Sequence, residues 1–190
     1  MKSHTTKSYM KQTITLTLLL LAGAAQADSF TLQSSDIKAG GPLTQAQVFK
    51  GFGCDGDNRS PQLSWSHAPA GTKSFAITAY DPDAPTGSGW WHWVAFNIPA
   101  NVTTLPSNAG NPATGLAPAG IVQSRTDFGT VGFGGACPPK GHGKHRYQFT
   151  VHALSVEKLD LGDQVPAAMV GYNLNAHSLG KATLEATYER

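Results

Sequence analysis

The sequence lacks the short motifs that identify several common enzyme classes. It contains no P-loop, no GxSxG nucleophile elbow, no helical HExxH metal motif and no CxxC redox pair. These absences argue against a P-loop NTPase, an α/β-hydrolase serine enzyme, a zincin and a thioredoxin-type redox protein. The two cysteines also lack the paired histidine spacing of a zinc site. We therefore expect neither a cofactor nor a metal ion.

Excess charge is also absent once the N-terminus is set aside. The full chain has 14 Lys and Arg against 12 Asp and Glu, and three of the lysines lie within the first eleven residues. The rest of the chain then has eleven basic and twelve acidic residues, a formal balance of −1. No basic stripe remains to attract nucleic acid or an anionic membrane, so we expect neither as a partner.

Long apolar runs are limited to one, ITLTLLLLAGAA at residues 14–25. It is shorter than the roughly 20 residues that a membrane-spanning helix needs. It follows the three lysines and precedes Ala25-Gln26-Ala27, which places small residues at the −3 and −1 positions of a cleavage site. This pattern predicts a cleaved secretory signal peptide over residues 1–27 and a single domain over residues 28–190. The mature protein is then periplasmic or secreted, with no stable membrane insertion.

Cysteine is scarce, with only Cys54 and Cys137. An even number of cysteines in an exported protein favours a disulfide between them. Two unpaired thiols are the alternative at this point.

Strand patterns dominate the rest of the chain. Residues 74–80 and 146–154 alternate apolar and polar side chains, and shorter strand patterns occupy residues 29–32, 93–98 and 181–188. Residues 106–120 and 127–143 are rich in Gly, Pro and Asn, which is typical of ordered loops. Helix signals are confined to the last third, with a short turn at 156–159 and a helix over 164–177 that has Pro166 in its first turn. The pattern predicts a mostly antiparallel β fold with one late helix.

Two loop segments contain the unusual chemistry, and the first reads AYDPDAPTGSGWWHW at residues 79–93. Asp81 directly follows an apolar strand, and Pro82 and Pro85 stiffen the turn after it. The Ala84–Pro85 bond is open to either isomer. His92 begins the next strand, so we expect it to meet Asp81 at the same sheet edge. Simple strand alternation places His92 on the opposite face from its two tryptophan neighbours.

The second segment reads CPPKGHGKHRY at residues 137–147. His145 and Tyr147 are two residues apart on a strand, so they share a face. Gly141 lies in a loop where backbone N–H groups can converge on an anion. His142 is interpreted as an exposed loop residue.

Other polar residues receive structural interpretations. Arg146 points away from the His145 face and is expected to pair with an acid such as Asp83 or Asp127. His152 and His177 are interpreted as packing residues.

The residues that these segments bring together suit a small anion. Two imidazoles and a phenol can donate hydrogen bonds to a phosphate-like group, and a carboxyl group can assist them, which makes Asp81, His92, His145 and Tyr147 the candidate site. Three alternatives stay open: a metal site on Asp81, His92 and His145, an acid–base enzyme using Asp81 and His145, and a purely structural cluster.

The same segments carry a family resemblance. DPDAP at residues 81–85, WHW at 91–93, PPKGHGKHRY at 138–147 and NRSPQLSW at 58–65 resemble the phosphatidylethanolamine-binding protein family, also called Raf kinase inhibitor proteins, in its bacterial exported branch. The resemblance runs from about residue 30 to residue 190. It implies a β-sandwich with a large central antiparallel sheet, a smaller sheet on one side and a C-terminal helix on the other.

The resemblance also implies a binding function without catalysis. Asp81, His92, His145 and Tyr147 fall on the family's ligand pocket, which accepts phosphate, phosphorylethanolamine-type head groups, acetate or cacodylate, with Pro138 and Gly141 on its rim. The expected function is therefore binding of a small anion or phosphorylated head group by an exported protein. The alternative is an inhibitor or interaction protein that acts on a protein target through its surface loops.

The sequence departs from the family pattern at two places. Ala136 stands where the family often has proline, which is expected to loosen that turn. The helix that gates the pocket in eukaryotic members is not evident, so lipid and kinase binding do not carry over.

Overall fold

The computed structural model describes residues 1–2 and 29–190. All but the first two residues of the predicted signal peptide, and the predicted mature start at Asp28, lie outside the described residues. In the part that is described, no helix has the length and apolar character needed to cross a lipid bilayer.

In the described residues, ten strands and one α-helix make up the regular structure, with short 3₁₀ turns at Gln45–Gln47 and Pro112–Thr114. In chain order the elements are β1 (Thr31–Gln33), β2 (Lys50–Gly51), β3 (Cys54–Asp55), β4 (Leu63–Ser66), β5 (Ser74–Asp81), β6 (Trp90–Pro99), β7 (Thr104–Leu105), β8 (Val122–Gln123), β9 (His145–Leu154), α1 (Ala167–His177) and β10 (Ser178–Tyr188).

The strands form two main sheets and one hairpin. The central sheet has five antiparallel strands in the order β10-β9-β5-β6-β8, and a smaller sheet has the order β1-β4-β7. Strands β2 and β3 form a separate hairpin. Gly51, Gly53 and Gly56 have GxGxxG spacing, but strand β3 lies within this segment and residues 57–62 after it form no helix, which a dinucleotide-binding motif requires. The predicted β-sandwich fold is confirmed.

The main hydrophobic core lies between the two sheets. Phe75, Ile77 and Ala79 of β5 face this core, as the alternation in the sequence predicts. The corresponding row on β9, Tyr147, Phe149 and Val151, lies beside it. The smaller sheet contributes Leu32, Leu63, Trp65 and Leu105 to the same core.

The opposite face of the central sheet packs against the C-terminal helix. A second apolar cluster contains Ala76, Val94, Phe96 and Leu154 from the sheet with Val170 and Leu174 from α1. The helix begins at Ala167, three residues after the predicted start, because Pro166 has an extended backbone (φ −59°, ψ 143°) and forms the N-cap. No helix forms at residues 156–159, where the sequence predicts a short turn and the chain makes a bend.

A β-bulge in β6 determines where His92 points. Tyr80 pairs with Trp91 and Ala79 pairs with Trp93, so His92 is an extra residue between two consecutive pairs. Trp91 consequently packs on the helix side of the sheet, while Trp93 lies in the core between the sheets. The expectation that both tryptophans share one face is therefore wrong, since the bulge interrupts the alternation.

Candidate functional site

The candidate site lies where the core-facing rows of the central sheet end. Asp81 continues the row of Ala79 on β5, and His145 precedes Tyr147 in the row on β9. The bulge turns His92 toward the same face, where its ring lies 5.1 Å from the ring of Tyr147. All four side chains are at most 4% exposed. The apolar core thus gives way to a polar cluster at one end of the sandwich.

These four residues form the floor of a cavity of about 200 Å³. Its mouth is open, because Phe52, Thr86 and Pro139 on the rim are exposed to solvent. The complete lining is Phe52, Asp81, Ala84, Pro85, Thr86, Trp90, His92, Phe128, Cys137, Pro138, Pro139, His145 and Tyr147. The walls are mainly aromatic rings and prolines, so polar contacts to a ligand must come largely from the floor.

Asp81 already uses both carboxylate oxygens within the protein. Its Oδ2 lies 2.7 Å from His145 Nδ1, and its Oδ1 accepts a 2.8 Å hydrogen bond from the backbone N–H of Asp83. Because a carboxylate only accepts hydrogen bonds, the His145 Nδ1 carries a proton. Asp81 therefore orients the imidazole of His145 and closes the turn that follows β5.

His142 contacts the second ring nitrogen of His145, Nε2. Its Nδ1 lies 2.8 Å from His145 Nε2, and the two rings meet edge to face with centroids 5.0 Å apart. His142 is exposed, as predicted, but it is more than a loop residue because it contacts the candidate site. With Asp81 on one side and His142 on the other, both ring nitrogens of His145 have partners in this structure.

His92 is held by the loop after Phe128. Its Nδ1 lies 2.7 Å from the carbonyl oxygen of Gly134, and the N–H of Gly134 bonds to the carbonyl oxygen of His92 at 2.8 Å. Burial lowers the pKa of His92, although the Gly134 carbonyl and the charge of Asp81 oppose the shift. We therefore treat the ring as neutral near pH 7.

Tyr147 has a buried hydroxyl with no hydrogen-bonding partner among the described residues. Burial raises the pKa of Tyr147, and the nearby charge of Asp81 raises it further, so the phenol keeps its proton. A buried O–H without an acceptor is uncommon in native proteins. Since Tyr147 lines the cavity, a bound acceptor is one way to satisfy it.

The turn after β5 is fixed by contacts on both of its sides. Arg146 donates two side-chain hydrogen bonds to Asp83, of 2.9 and 2.7 Å, and its backbone N–H donates a third of 2.9 Å. Hydrogen bonding to Arg146 lowers the pKa of Asp83 to about 2. Arg146 therefore pairs with Asp83, one of the two predicted acids, and the other, Asp127, accepts from the N–H of Trp91 instead.

Glycine is required at the end of the same turn. Gly89 has φ +65°, and a Cβ there would lie 2.2 Å from the hydroxyl of Tyr80. No cis peptide bond occurs in the described part of the chain, so the Ala84–Pro85 bond is trans.

The predicted rim residues differ in position. Pro138 lines the cavity, whereas Gly141 does not. The N–H of Gly141 donates to the carbonyl of Arg190 at 2.9 Å and is not available to an anion in this structure. Gly141 therefore does not line the cavity, and its expected position on the rim stays a prediction. Arg190 also donates to the carbonyls of Pro138 and Phe52, and so joins the two sides of the rim.

A disulfide between Cys54 and Cys137 ties the β2–β3 hairpin to the cavity wall. The S–S distance is 2.12 Å and the Cα atoms are 6.0 Å apart. The bridge places Phe52, which is 67% exposed, at the mouth of the cavity. Pairing of the two cysteines agrees with the interpretation favoured from the sequence.

Backbone hydrogen bonds of Ala136 hold the neighbouring turn in place. Its N–H donates to the carbonyl of Gln47 and its carbonyl accepts from the N–H of Phe49, both at 3.0 Å. A proline at this position has no N–H and would lose the first of these bonds. The expectation of a looser turn therefore overlooked backbone bonds that only the fold reveals.

Several site residues were not found by sequence reasoning. Phe52 and Phe128 line the cavity, and Asn58 accepts from the N–H of Gly135 beside the carbonyl that binds His92. Phe52 is distant in sequence from the two motif segments, and Phe128 lies nine residues before the second of them. Asn58 and His142 carried a usable signal, since Asn58 begins the NRSPQLSW segment and His142 lies three residues before His145.

Comparison with known proteins gives a consistent result along the chain. The family model described as phosphatidylethanolamine-binding protein matches residues 33–189. YbcL of Escherichia coli strain K12 is 54% identical over 181 residues, which cover 95% of this chain and 99% of YbcL. YbhB of the same strain is 52% identical over 157 residues, covering 83% of this chain and 98% of YbhB.

A solved structure and a more distant relative extend the comparison. The crystal structure of E. coli YbcL, described as a new member of the mammalian PEBP family, superposes with a TM-score of 0.83 at 55% identity and covers 85% of this chain and 98% of that one. The putative lipoprotein LppC of Mycobacterium tuberculosis strain H37Rv is 32% identical over 166 residues, covering 87% of this chain and 75% of LppC.

Proposed function

Because the chain belongs to the phosphatidylethanolamine-binding protein family, we propose that it binds a small phosphate-type anion in the cavity floored by Asp81, His92, His145 and Tyr147. The observation that carries the proposal is the buried hydroxyl of Tyr147, which has no acceptor among the described residues and belongs to a residue that lines the cavity. An anionic oxygen supplies the missing acceptor.

The proposed role is binding without turnover. Both oxygens of Asp81 and both nitrogens of His145 already have partners, so neither residue is positioned as a free general base. The raised pKa of Tyr147 keeps its phenol protonated, which suits a hydrogen-bond donor and not a nucleophile. The aromatic and proline walls favour a ligand that has an apolar part beside its anionic group. The protein target expected as the alternative stays a prediction.

Titration of the protein with phosphate, followed by NMR of the imidazole resonances, tests this proposal. We expect the resonances of His92 and His145 to shift in a saturable way. His152 serves as an internal control, because it lies beside helix α1 on the opposite face of the central sheet. Unchanged His92 and His145 resonances at millimolar phosphate contradict the proposal, as do shifts of equal size at His152.

We further propose that the protein acts in the periplasm or outside the cell. The disulfide supports this placement, since such bonds persist in oxidising compartments, and so does the similarity to LppC, a putative lipoprotein. Expression of the full chain in a bacterial host, followed by cell fractionation and N-terminal sequencing, tests the proposal. We expect a soluble exported product that begins at or near Asp28, and an uncleaved product in the cytoplasm is the contrary result.

A further inference from the structure

A second cavity lies on the opposite face of the central sheet, beside helix α1. Its volume is about 170 Å³, and one wall is formed by Gly171, Leu174 and Asn175 of α1. The other wall is the helix-facing surface of β5, β9 and β10, to which Trp91 of β6 is added. This helix-side cavity shares no lining residue with the anion cavity of the proposed function.

The floor of the helix-side cavity is polar, whereas the neighbouring surface under α1 is apolar. Thr78, Thr150 and His152 line the cavity and are at most 9% exposed. The hydroxyl of Thr78 lies 3.2 Å from His152 Nε2, but His152 Nδ1 is buried and has no partner among the described residues. Burying a polar group costs free energy unless a hydrogen bond offsets the loss of water. The polar floor is therefore not explained by hydrogen bonds within the protein alone.

Gly171 keeps space open on the helix side of the cavity. It lies in the middle of α1, and a Cβ at this position would lie 3.4 Å from the ring of Trp91, which is an ordinary contact. Alanine would therefore fit, and it would favour the helix, because glycine in a helix interior is destabilising. The glycine thus weakens α1 without a steric need, and what it preserves is the space beside Trp91.

The side chains around this space combine aromatic surface with groups that bond to hydroxyls. The rings of Tyr80 and Trp91 are half-buried and lie 4.8 Å apart. Asn175 and Lys181 are exposed, and neither side chain has a hydrogen bond or salt bridge to a described residue. An amide and a threonine hydroxyl can each donate to and accept from a ligand hydroxyl, and an ammonium group can donate to it.

The helix-side cavity contains little charge. None of the described residues that line it is acidic, so a cationic ligand has no counter-ion there. Burial lowers the pKa of His152 to about 4, so the floor is neutral near pH 7. Lys181 is the only cationic residue in the described lining, and it is exposed, where water screens its charge. The cavity therefore favours an uncharged polar ligand over an ion.

We propose that the helix-side cavity binds a small uncharged molecule rich in hydroxyl groups, of the size and kind of one sugar ring. Its volume of about 170 Å³ is below the roughly 300–1,000 Å³ of pockets that hold drug-sized ligands, so a single ring is a fitting size. Trp91 packs against the C–H face of the ring, and Asn175, Lys181 and the threonines of the floor bond to its hydroxyls. The site is independent of the anion cavity, so it stands or falls separately from phosphate binding.

Titration of the protein with D-glucose, D-galactose and N-acetyl-D-glucosamine, followed by NMR, tests this proposal. We expect at least one of the three sugars to shift the Trp91 indole and His152 imidazole resonances in a saturable way, with a dissociation constant on the order of millimolar. The His92 and His145 resonances should stay unchanged. Absence of saturable shifts at Trp91 and His152 with all three sugars overturns the proposal. Shifts of equal size at His92, or saturation of Trp91 by acetate and not by the sugars, also overturn it, the latter because the cavity then holds an anion.

Two variants place the ligand within the cavity. Gly171→Ala should raise the free energy of unfolding but weaken sugar binding several-fold, because its methyl group takes space beside Trp91. Asn175→Ala should weaken sugar binding about two- to tenfold with little change in stability, because it removes one hydrogen-bonding group from an exposed position. Asn173→Ala is the matched control, since Asn173 is on the same helix but does not line the cavity. Parent-like sugar affinity in Gly171→Ala or Asn175→Ala, or an equal loss in Asn173→Ala, contradicts the proposed site.

Discussion

The side chains of the cavity floor differ in how much of their hydrogen-bonding capacity the protein already uses. Asp81 and His145 are saturated by their neighbours, which assigns them an orienting role. Tyr147 has a buried hydroxyl with no partner among the described residues, so its hydrogen-bonding capacity is the least used of the four. This distinction does not follow from the sequence, where all four residues look equivalent.

Tyr147 offers the most direct test of an individual side chain. Replacing it with Phe removes a buried hydroxyl that has no partner among the described residues, so we expect the free energy of unfolding to be unchanged or slightly higher. The affinity for phosphate should fall about tenfold, which corresponds to about 1.4 kcal/mol. Calorimetric binding and urea unfolding measure the two quantities. A large loss of stability would show that the hydroxyl has a structural partner after all.

Removing the His142 side chain should strengthen phosphate binding, whereas removing the Tyr147 hydroxyl should weaken it. Its contact with His145 Nε2 competes with any ligand oxygen that approaches this nitrogen. His142→Ala removes the competitor from an exposed position, so we expect phosphate to bind about two- to tenfold more tightly with little change in stability. Lys144→Ala, in the same exposed loop, is the control for altered loop sequence. Weaker binding by His142→Ala would mean that His142 itself contacts the ligand.

Among the secondary-structure elements, the long strands are those that the sequence predicts well. Strand β9 was predicted over residues 146–154 and begins one residue earlier, because its alternation continues to the buried His145. Strand β6 begins at Trp90, three residues before the prediction, since the bulge at His92 conceals the alternation. Strands β4, β7 and β8 escape prediction, because pairing partners from distant parts of the chain define them. Strands β2 and β3 pair with each other in a hairpin and are too short to show an alternation.

The residues of the candidate site also differ in how well the sequence predicts their positions. Asp81, His92, His145 and Tyr147 were predictable because each lies at the end of a recognisable strand next to a proline- or glycine-rich loop. The position of Gly141 was not predictable, because it depends on a backbone bond to the last residue of the chain. Phe52 lies at the cavity mouth in the hairpin that the disulfide joins to the opposite wall, and the two bonded cysteines are 83 residues apart in sequence, so no local pattern indicates this position.

The disulfide-linked hairpin leads to a prediction about the stability of the protein and its affinity for phosphate. The bridge closes a segment with a sequence separation of 83, so reduction should lower the free energy of unfolding by about 2–4 kcal/mol. It should also release Phe52 from the mouth of the cavity and weaken ligand binding. Urea unfolding and phosphate titration with and without a dithiol measure both effects. A Cys54→Ser, Cys137→Ser double variant should have the stability and phosphate affinity of the reduced protein, and the dithiol should change neither. Unchanged stability of the parent protein on reduction would contradict the prediction.

Buried histidines lie on both faces of the central sheet. His92 and His145 lie at the cavity, on the face that holds the main core, whereas His152 lies on the face covered by α1. His152 accepts or donates one hydrogen bond with Thr78, and its Nδ1 has no partner among the described residues. Burial lowers the pKa of His152 to about 4, and Lys181 adds to the shift. Protonation of this residue therefore opposes folding.

This arrangement predicts how the stability of the fold depends on pH. The pKa of His152 is lower in the folded protein (about 4) than its ordinary value of 6.5, so the unfolded chain binds the proton first as the pH falls. Stability is unaffected above about pH 6.5 and decreases as the pH falls from there to about 4, with a loss of roughly 2 kcal/mol at pH 5 from this residue. The lowered pKa of His92 acts in the same direction. Urea unfolding of His152→Gln should show a flatter dependence between pH 7 and pH 5 than the parent protein, whatever its absolute stability, because glutamine does not titrate. An equal slope in the two proteins would show that His152 is protonated, or already solvated, in the folded state.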